Sequence, residues 1–219
     1  MAQIVLVLSA SGTGKSSSLR NLKKEEAAVI LCSGKDLPFK HDLPTMVPKT
    51  YIDIFNAIDK SEKPIVVIDD VNYMMSFEEM NRATEKGFEK FTQMATNMFQ
   101  LFKHIIDKKS DQVFYVFGHK ADDDDGQVRL KTTGKMLSEK IVLEGLVDIV
   151  LTGEITDGQF QFRVRTDGTG VKSPLGMFKE PVVENDLRIV DDAVRDFYDI
   201  KPKASKGKKE KESKDAKSK

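Results

Sequence analysis

The chain opens on an unbroken apolar run, "IVLVL" (4–8), ended by Ser9 and a glycine-containing turn. Three later runs share its character: "AAVILC" (27–32), "PIVVID" (64–69) and "QVFYVFGH" (112–119). Short, branched, continuously apolar segments predict strands buried on both faces, as in a parallel sheet. Before the fourth run, Phe88, Phe91, Met94, Ala95, Met98, Phe102, Ile105 and Ile106 recur at steps of three and four. That spacing predicts one amphipathic helix from about 77 to 109, covering a sheet face. Strands alternating with helices predict an α/β fold: a mostly parallel central sheet flanked by helices on both faces.

The pattern changes after His119. "KADDDDGQVRLKTTGK" (120–135) shows neither period and reads as a polar loop, its aspartate run 122–125 being a solvated charge cluster without the spacing of a calcium loop. "IVLEGLVDIVLTGEI" (141–155) returns to strand-like composition. "TDGQ" (156–159) then leads into alternating Phe160, Phe162 and Val164, which predicts a C-terminal antiparallel hairpin. "DGTGVKSPLGMF" (167–178) comes next as a flexible, glycine-rich loop, and no internal repeat is present.

Composition narrows the class. With 219 residues, 39% of them hydrophobic and 32% charged, the chain can build a real core. No apolar stretch approaches the ~20 residues of a membrane span, so no membrane partner is expected. The 4–8 run lacks a basic lead-in and a cleavage site, so no secretory signal is expected either. The single cysteine, Cys32, cannot form an internal disulfide; it reads as a small core residue at a strand end and agrees with a reducing cytoplasm. The zero net charge hides an asymmetry: residues 201–219 hold nine lysines against Glu210, Glu212 and Asp215, a +6 tail on a −6 body. The tail has too little apolar surface to fold, which predicts one domain over 1–200 and a disordered lysine-rich segment over 201–219. Such a tail either gathers phosphate backbones by counterion release or simply solubilises the protein.

The candidate chemistry starts at "SASGTGKSSS" (9–18). A strand, a glycine-containing turn and a helix start form a phosphate cradle, because turn and first-turn N–H groups point at an anion that the helix dipole also favours. Ser11, Gly12, Thr13, Gly14, Lys15, Ser16 and Ser17 would surround a polyphosphate, Lys15 reaching its β- and γ-phosphates and Ser16 ligating Mg²⁺. The usual pattern begins with glycine, where this chain has Ser9. "IVVIDD" supplies a carboxylate at a strand tip: Asp69 would serve the metal, and Asp70 would orient water or cap the next segment of chain. His119, ending the fourth run, either senses the γ-phosphate or bonds a loop carbonyl.

The order of "SGTGKSS", "KDLPFK", "VVIDD", "VFGHK", "GKMLSEKIVLEGLVDIVL" and "FRVRTDGTGVKSPLGMF" resembles the phage-encoded RecA-like P-loop ATPases, also labelled AAA-type ATP-binding proteins, over about 4 to 178. The resemblance implies a RecA-like P-loop NTPase fold, ATP and Mg²⁺ at Gly12 to Ser16 and Asp69, a sensor role for His119, and a homo-oligomer with nucleotide between neighbours. Some relatives act in single-strand annealing and recombination. Such ATPases commonly carry a water-activating glutamate after the second strand, where this chain reads "LCSGKD"; Asp36 or Asp70 are the substitutes. Lys131, Lys135, Arg165 and Lys172 are candidates for a basic finger reaching a neighbour's γ-phosphate.

These features leave three readings. The first is an ATPase that binds single-stranded DNA in phage recombination, annealing or replication, in the host cytoplasm if phage-encoded. The second is a slowly hydrolysing ATP switch that regulates a replication or packaging partner. The third is a nucleotide or small-molecule kinase, whose usual arginine-rich lid is missing because the segment after His119 is acidic.

Overall fold

The computed structural model describes residues 2–121, 126–134 and 136–200. The aspartate run 122–125, Lys135 and the tail 201–219 lie outside the described residues. In chain order the elements are β1 (Gln3–Ser9), β2 (Ala27–Leu31), β3 (Thr45–Met46), α1 (Tyr51–Lys60), β4 (Ile65–Asp69), α2 (Asn72–Asn81), α3 (Glu89–Asp107), β5 (Val113–His119), β6 (Ile149–Thr156), β7 (Gln159–Arg163), β8 (Val182–Glu184) and α4 (Leu187–Phe197). All strands join one sheet in the order β3-β2-β4-β5-β1-β6-β7-β8. Pairing is parallel from β3 to β6 and antiparallel across β6, β7 and β8. The α/β class, the parallel centre and the terminal hairpin agree with the sequence expectation.

Strand residues alternate between faces, and the core divides accordingly. Ile4, Leu6 and Leu8 of β1 join Val66, Ile68, Phe114 and Val116 under α1, α2 and α3. Val5 and Val7 join Val67, Tyr115 and Phe117 on the other face, under Leu19 and α4 residues Leu187, Val190 and Val194. α1 starts at a capping box: Thr50 Oγ1 accepts from Asp53 N while the Asp53 carboxylate accepts from Thr50 N. α4 starts where the Asp186 side chain accepts from Arg188 N. Beneath α4, buried Tyr115 donates to Asp191 at 2.9 Å and Arg195 grips the same carboxylate at 2.6 Å, so that charge is paired inside the core.

Several sequence expectations change. The segment 77–109 is not one helix, because the chain leaves helical geometry between Asn81 and Glu89, with Gly87 at φ 94°. Phe88 is 86% exposed instead of joining the stripe, whereas Met94, Ala95, Met98, Phe102 and Ile105 are buried as expected. The segment leaving the phosphate loop is a six-residue 3₁₀ helix (Ser16–Asn21), too short to gather a strong dipole. Within 141–155, only Ile149–Thr156 is strand; a 3₁₀ turn at Leu143–Leu146 precedes it. Among the described residues of the 120–135 loop, Leu130 bridges Lys120, and both Val128 and Leu130 are buried instead of forming free polar chain. The 167–178 loop is anchored as well: Lys172 exchanges backbone bonds with Val150, and Val171, Met177 and Phe178 are buried.

Parity and register bring three strand ends to one edge. Ser9, Asp69 and His119 continue the 5-7, 65-67 and 113-115-117 series on the α4 face. Ser9 pairs directly with His119, and β5 separates β1 from β4. A polar residue at the tip of β5 therefore stands between the loop after β1 and the carboxylates after β4.

Candidate functional site

The loop after β1 is held by its own hydroxyls. Thr13 Oγ1 donates to Ser9 Oγ at 2.6 Å and lies 2.9 Å from Ala10 O, while Gly12 and Gly14 take φ values of 81° and 87° that only glycine adopts without strain. Such glycines turn successive N–H groups to one side, the geometry of an anion-binding nest. Among the described residues, no protein acceptor takes the N–H groups of residues 11–14. Ser11 and Gly12 are exposed.

Ser9 stands where the common pattern has glycine, and the fold accommodates it. A β-carbon on Gly153, the next position of β6 after the Leu8–Thr152 pair, would lie 3.2 Å from Ser9 Oγ. Space absent at one position is thus supplied at its neighbour.

Lys15 is 6% exposed. Its Nζ donates to Ser9 O and Ser9 Oγ at 3.2 Å and to Ala10 O at 3.0 Å. Burial pulls its pKa below the ordinary lysine value, opposed by the charges of Asp70 and Asp69. All three acceptors are neutral oxygens, which an anionic phosphate would outcompete.

Ser16, one residue on, donates its hydroxyl to Asp69 Oδ2 at 2.8 Å across a sequence separation of 53. Asp69 is 5% exposed, and its Oδ1 is buried with no partner among the described residues. Burial, reinforced by the neighbouring Asp70 charge, pushes its pKa up to about 6. An orphaned buried carboxylate oxygen beside a serine hydroxyl suits a hard cation. Among the described residues, no group of three or more His, Cys, Asp or Glu could hold a metal alone. Mg²⁺ usually combines one or two carboxylates with waters and substrate phosphates, so Ser16 and Asp69 fit it as the protein's share.

Asp70 takes left-handed geometry, φ 57°, as β4 turns into α2. Non-glycine residues held there concentrate at functional sites. Its Oδ1 lies 3.5 Å from His119 Nε2. His119 has its pKa lowered by burial and then by the Lys15 charge, against the opposing charge of Asp70, and the net shift favours the neutral ring. Asn72 fixes this strand end, its Oδ1 accepting from His119 N at 3.0 Å. The edge of the Tyr73 ring meets the imidazole at 5.8 Å between centroids.

The structure therefore brings Lys15, Ser16, Asp69, Asp70 and His119 together, with Ser11 to Gly14 as the rim. The Ser17 carbonyl accepts from Arg20 Nη1 at 3.3 Å. Asp36 is exposed and spends its carboxylate on Leu37 N and His41. Of the described basic candidates, Lys131 adjoins the site through its backbone, its N–H donating to His119 O at 2.8 Å. Arg165 bonds Lys179 O at 3.2 Å. Sequence reasoning missed Asn72 and the stabilising part of Ser9; an Asn three residues after a strand-tip aspartate was the available signal for the first. Cys32 is buried, and burial raises its thiol pKa.

No protein-family model matches the chain, and no curated protein matches it. No helix among the described residues is long and apolar enough to cross a membrane.

Proposed function

We propose that the chain is a magnesium-dependent ATP-binding protein and ATPase of the RecA-like P-loop class, working on single-stranded DNA as a homo-oligomer in phage recombination, annealing or replication. The observation that carries the reading is the 2.8 Å contact of Ser16 with the half-orphaned Asp69, beside a buried Lys15. Two motifs far apart in sequence meet side by side, which supports a metal-bound triphosphate as the ligand. Lys15 would exchange its neutral acceptors for phosphate oxygens, and free loop amides would complete the cradle. When bound, Mg²⁺ supplies charge neutralisation at the phosphates. His119, 3.5 Å from Asp70, would adjoin the terminal phosphate and could hold a proton or orient water.

A second reading, the slowly hydrolysing switch, draws on a specific observation: the segment after β2 carries buried Cys32 and exposed Asp36, whose carboxylate is taken by Leu37 N and His41, while Asp70 lies 3.5 Å from His119. Phosphate release measured with and without Mg²⁺ and a single-stranded oligonucleotide separates the two. The ATPase reading expects Mg²⁺-dependent release stimulated by DNA, with DNA binding that weakens steeply as salt rises. Release that is slow and indifferent to DNA supports the switch; no nucleotide binding at all refutes both.

A further inference from the structure

A cavity of about 780 Å³ adjoins the phosphate loop on the side away from Asp69, between the 3₁₀ helix, the β6–β7 turn and β8. Ser17 lines it, so the two sites share a wall. We propose that this cavity holds the nucleobase and ribose of the bound nucleotide, with Phe160 as the stacking surface and the Asn185 amide as the donor that reads the base edge. The inference rests on the phosphate-loop reading and extends it.

Phe160 lies just beyond a two-residue hairpin turn, Asp157 and Gly158 at φ 52° and 77°, which fixes the register of β7 on β6. Its neighbour Phe162 is fully buried, but Phe160 points the other way and stays 46% exposed. The ring does not stand free in solvent: a β-carbon on Gly14 would lie 2.9 Å from Phe160 Cδ1. The aromatic ring thus rests directly on the phosphate loop, where a base attached to loop-bound phosphates would need a flat apolar surface.

Asn185 supplies the second, independent observation. It is 2% exposed, its main chain is fixed by donation from Asn185 N to Phe160 O at 3.2 Å, and its Nδ2 is buried with no partner among the described residues. Nothing in the surrounding protein accounts for an unpaired amide donor lining a polar cavity, and leaving one unmade is unfavourable. An amide donor beside an aromatic ring matches a nucleobase, which offers a π-face and hydrogen-bond acceptors along its edge. Arg20 closes the far wall. It bonds Asn185 O through Nη1 and Glu184 Oε1 at 3.0 Å through Nη2, so its guanidinium is pre-placed.

The test compares ATP with inorganic tripolyphosphate, both with Mg²⁺, by calorimetry on the full chain and on Phe160→Ala. The inference expects ATP affinity to fall roughly tenfold or more, as loss of base–aromatic stacking does, while tripolyphosphate affinity stays within about twofold. The chain contains no tryptophan, so Phe160→Trp installs a single indole reporter: ATP should quench it and tripolyphosphate should not. Equal weakening of both ligands, no weakening of either, or identical fluorescence responses overturns the base pocket while leaving the phosphate loop standing. If neither ligand binds the native chain, the phosphate reading itself fails and the pocket falls with it.

Discussion

Asp69→Asn should make this protein more stable at neutral pH while removing the Mg²⁺-dependent turnover proposed for it. The folded environment holds the Asp69 carboxyl at a pKa of about 6 because burial and the Asp70 charge disfavour ionisation. The unfolded chain ionises the same group near pH 3.9. The native state therefore binds more protons than the unfolded state between those values, so stability falls as pH rises from about 4 to about 6 and the whole penalty is present above that. A two-unit displacement corresponds to roughly 2–3 kcal/mol. For a chain of this size that is roughly 5–10 °C in melting temperature. Asparagine is isosteric and keeps an acceptor for Ser16 Oγ; its amide nitrogen would replace an oxygen that already lacks a partner. Thermal melts of both chains with a chelator, from pH 4 to 8, check the sign. The two curves should meet near pH 4 and separate as pH rises, with the Asp69→Asn chain the more stable. A difference that does not vary with pH, or an inverted one, would refute the claim that the native site holds an uncompensated charge. Mg²⁺-nucleotide affinity of the native chain should change the opposite way, rising with pH through about 6, because the metal needs the ionised form.

Two further predictions concern packing around the site. Gly153→Ala should be tolerated less well with Ser9 present than in a Ser9→Gly background, since the added methyl would meet Ser9 Oγ at 3.2 Å; a double-mutant cycle in urea should give a coupling of about 1 kcal/mol. Additive effects would mean that the two positions do not share that space. Arg195→Leu should destabilise by about 3 kcal/mol, because it takes the counter-charge from buried Asp191 and leaves that carboxylate only the Tyr115 hydroxyl among the described residues. The loss should shrink as pH falls, because burial already raises the Asp191 pKa and the carboxyl can neutralise in acid; a loss that does not vary with pH would contradict this.

Much of the fold was legible because its central strands are covered on both faces. Val5 to Leu8, Ile65 to Ile68 and Val113 to Phe117 must all be apolar, so their runs are unbroken and unmistakable. The helix break was harder to read. Met94 to Ile105 carry a genuine stripe that Phe88 extends in sequence alone, because Gly87, at positive φ, ends the gap between α2 and α3 just before it. α1 and α4 each show a cap before apolar residues at helical spacing, Thr50 before Tyr51, Ile54 and Ile58 and Asp186 before Leu187, Val190 and Val194, but both are too short for that period to stand out from the sequence around them.

The site divides in the same way. Lys15, Ser16 and Asp69 were readable because a glycine turn after one strand and an acid at the end of another each leave a local trace. Phe160 and Asn185 leave none. Their meeting over Gly14 depends on a hairpin folding back and on β8, a strand of three residues whose pairing is visible only in the folded chain.

The central claim, that residues 11–16 grip a triphosphate with the Lys15 ammonium as its main counter-charge, is met most directly by calorimetry with Mg²⁺ and ATP on the native chain and on Lys15→Ala. The account predicts saturable heat from the native chain and none from the variant, with both chains folded by circular dichroism. Equal binding by the two, or none by either, would contradict it.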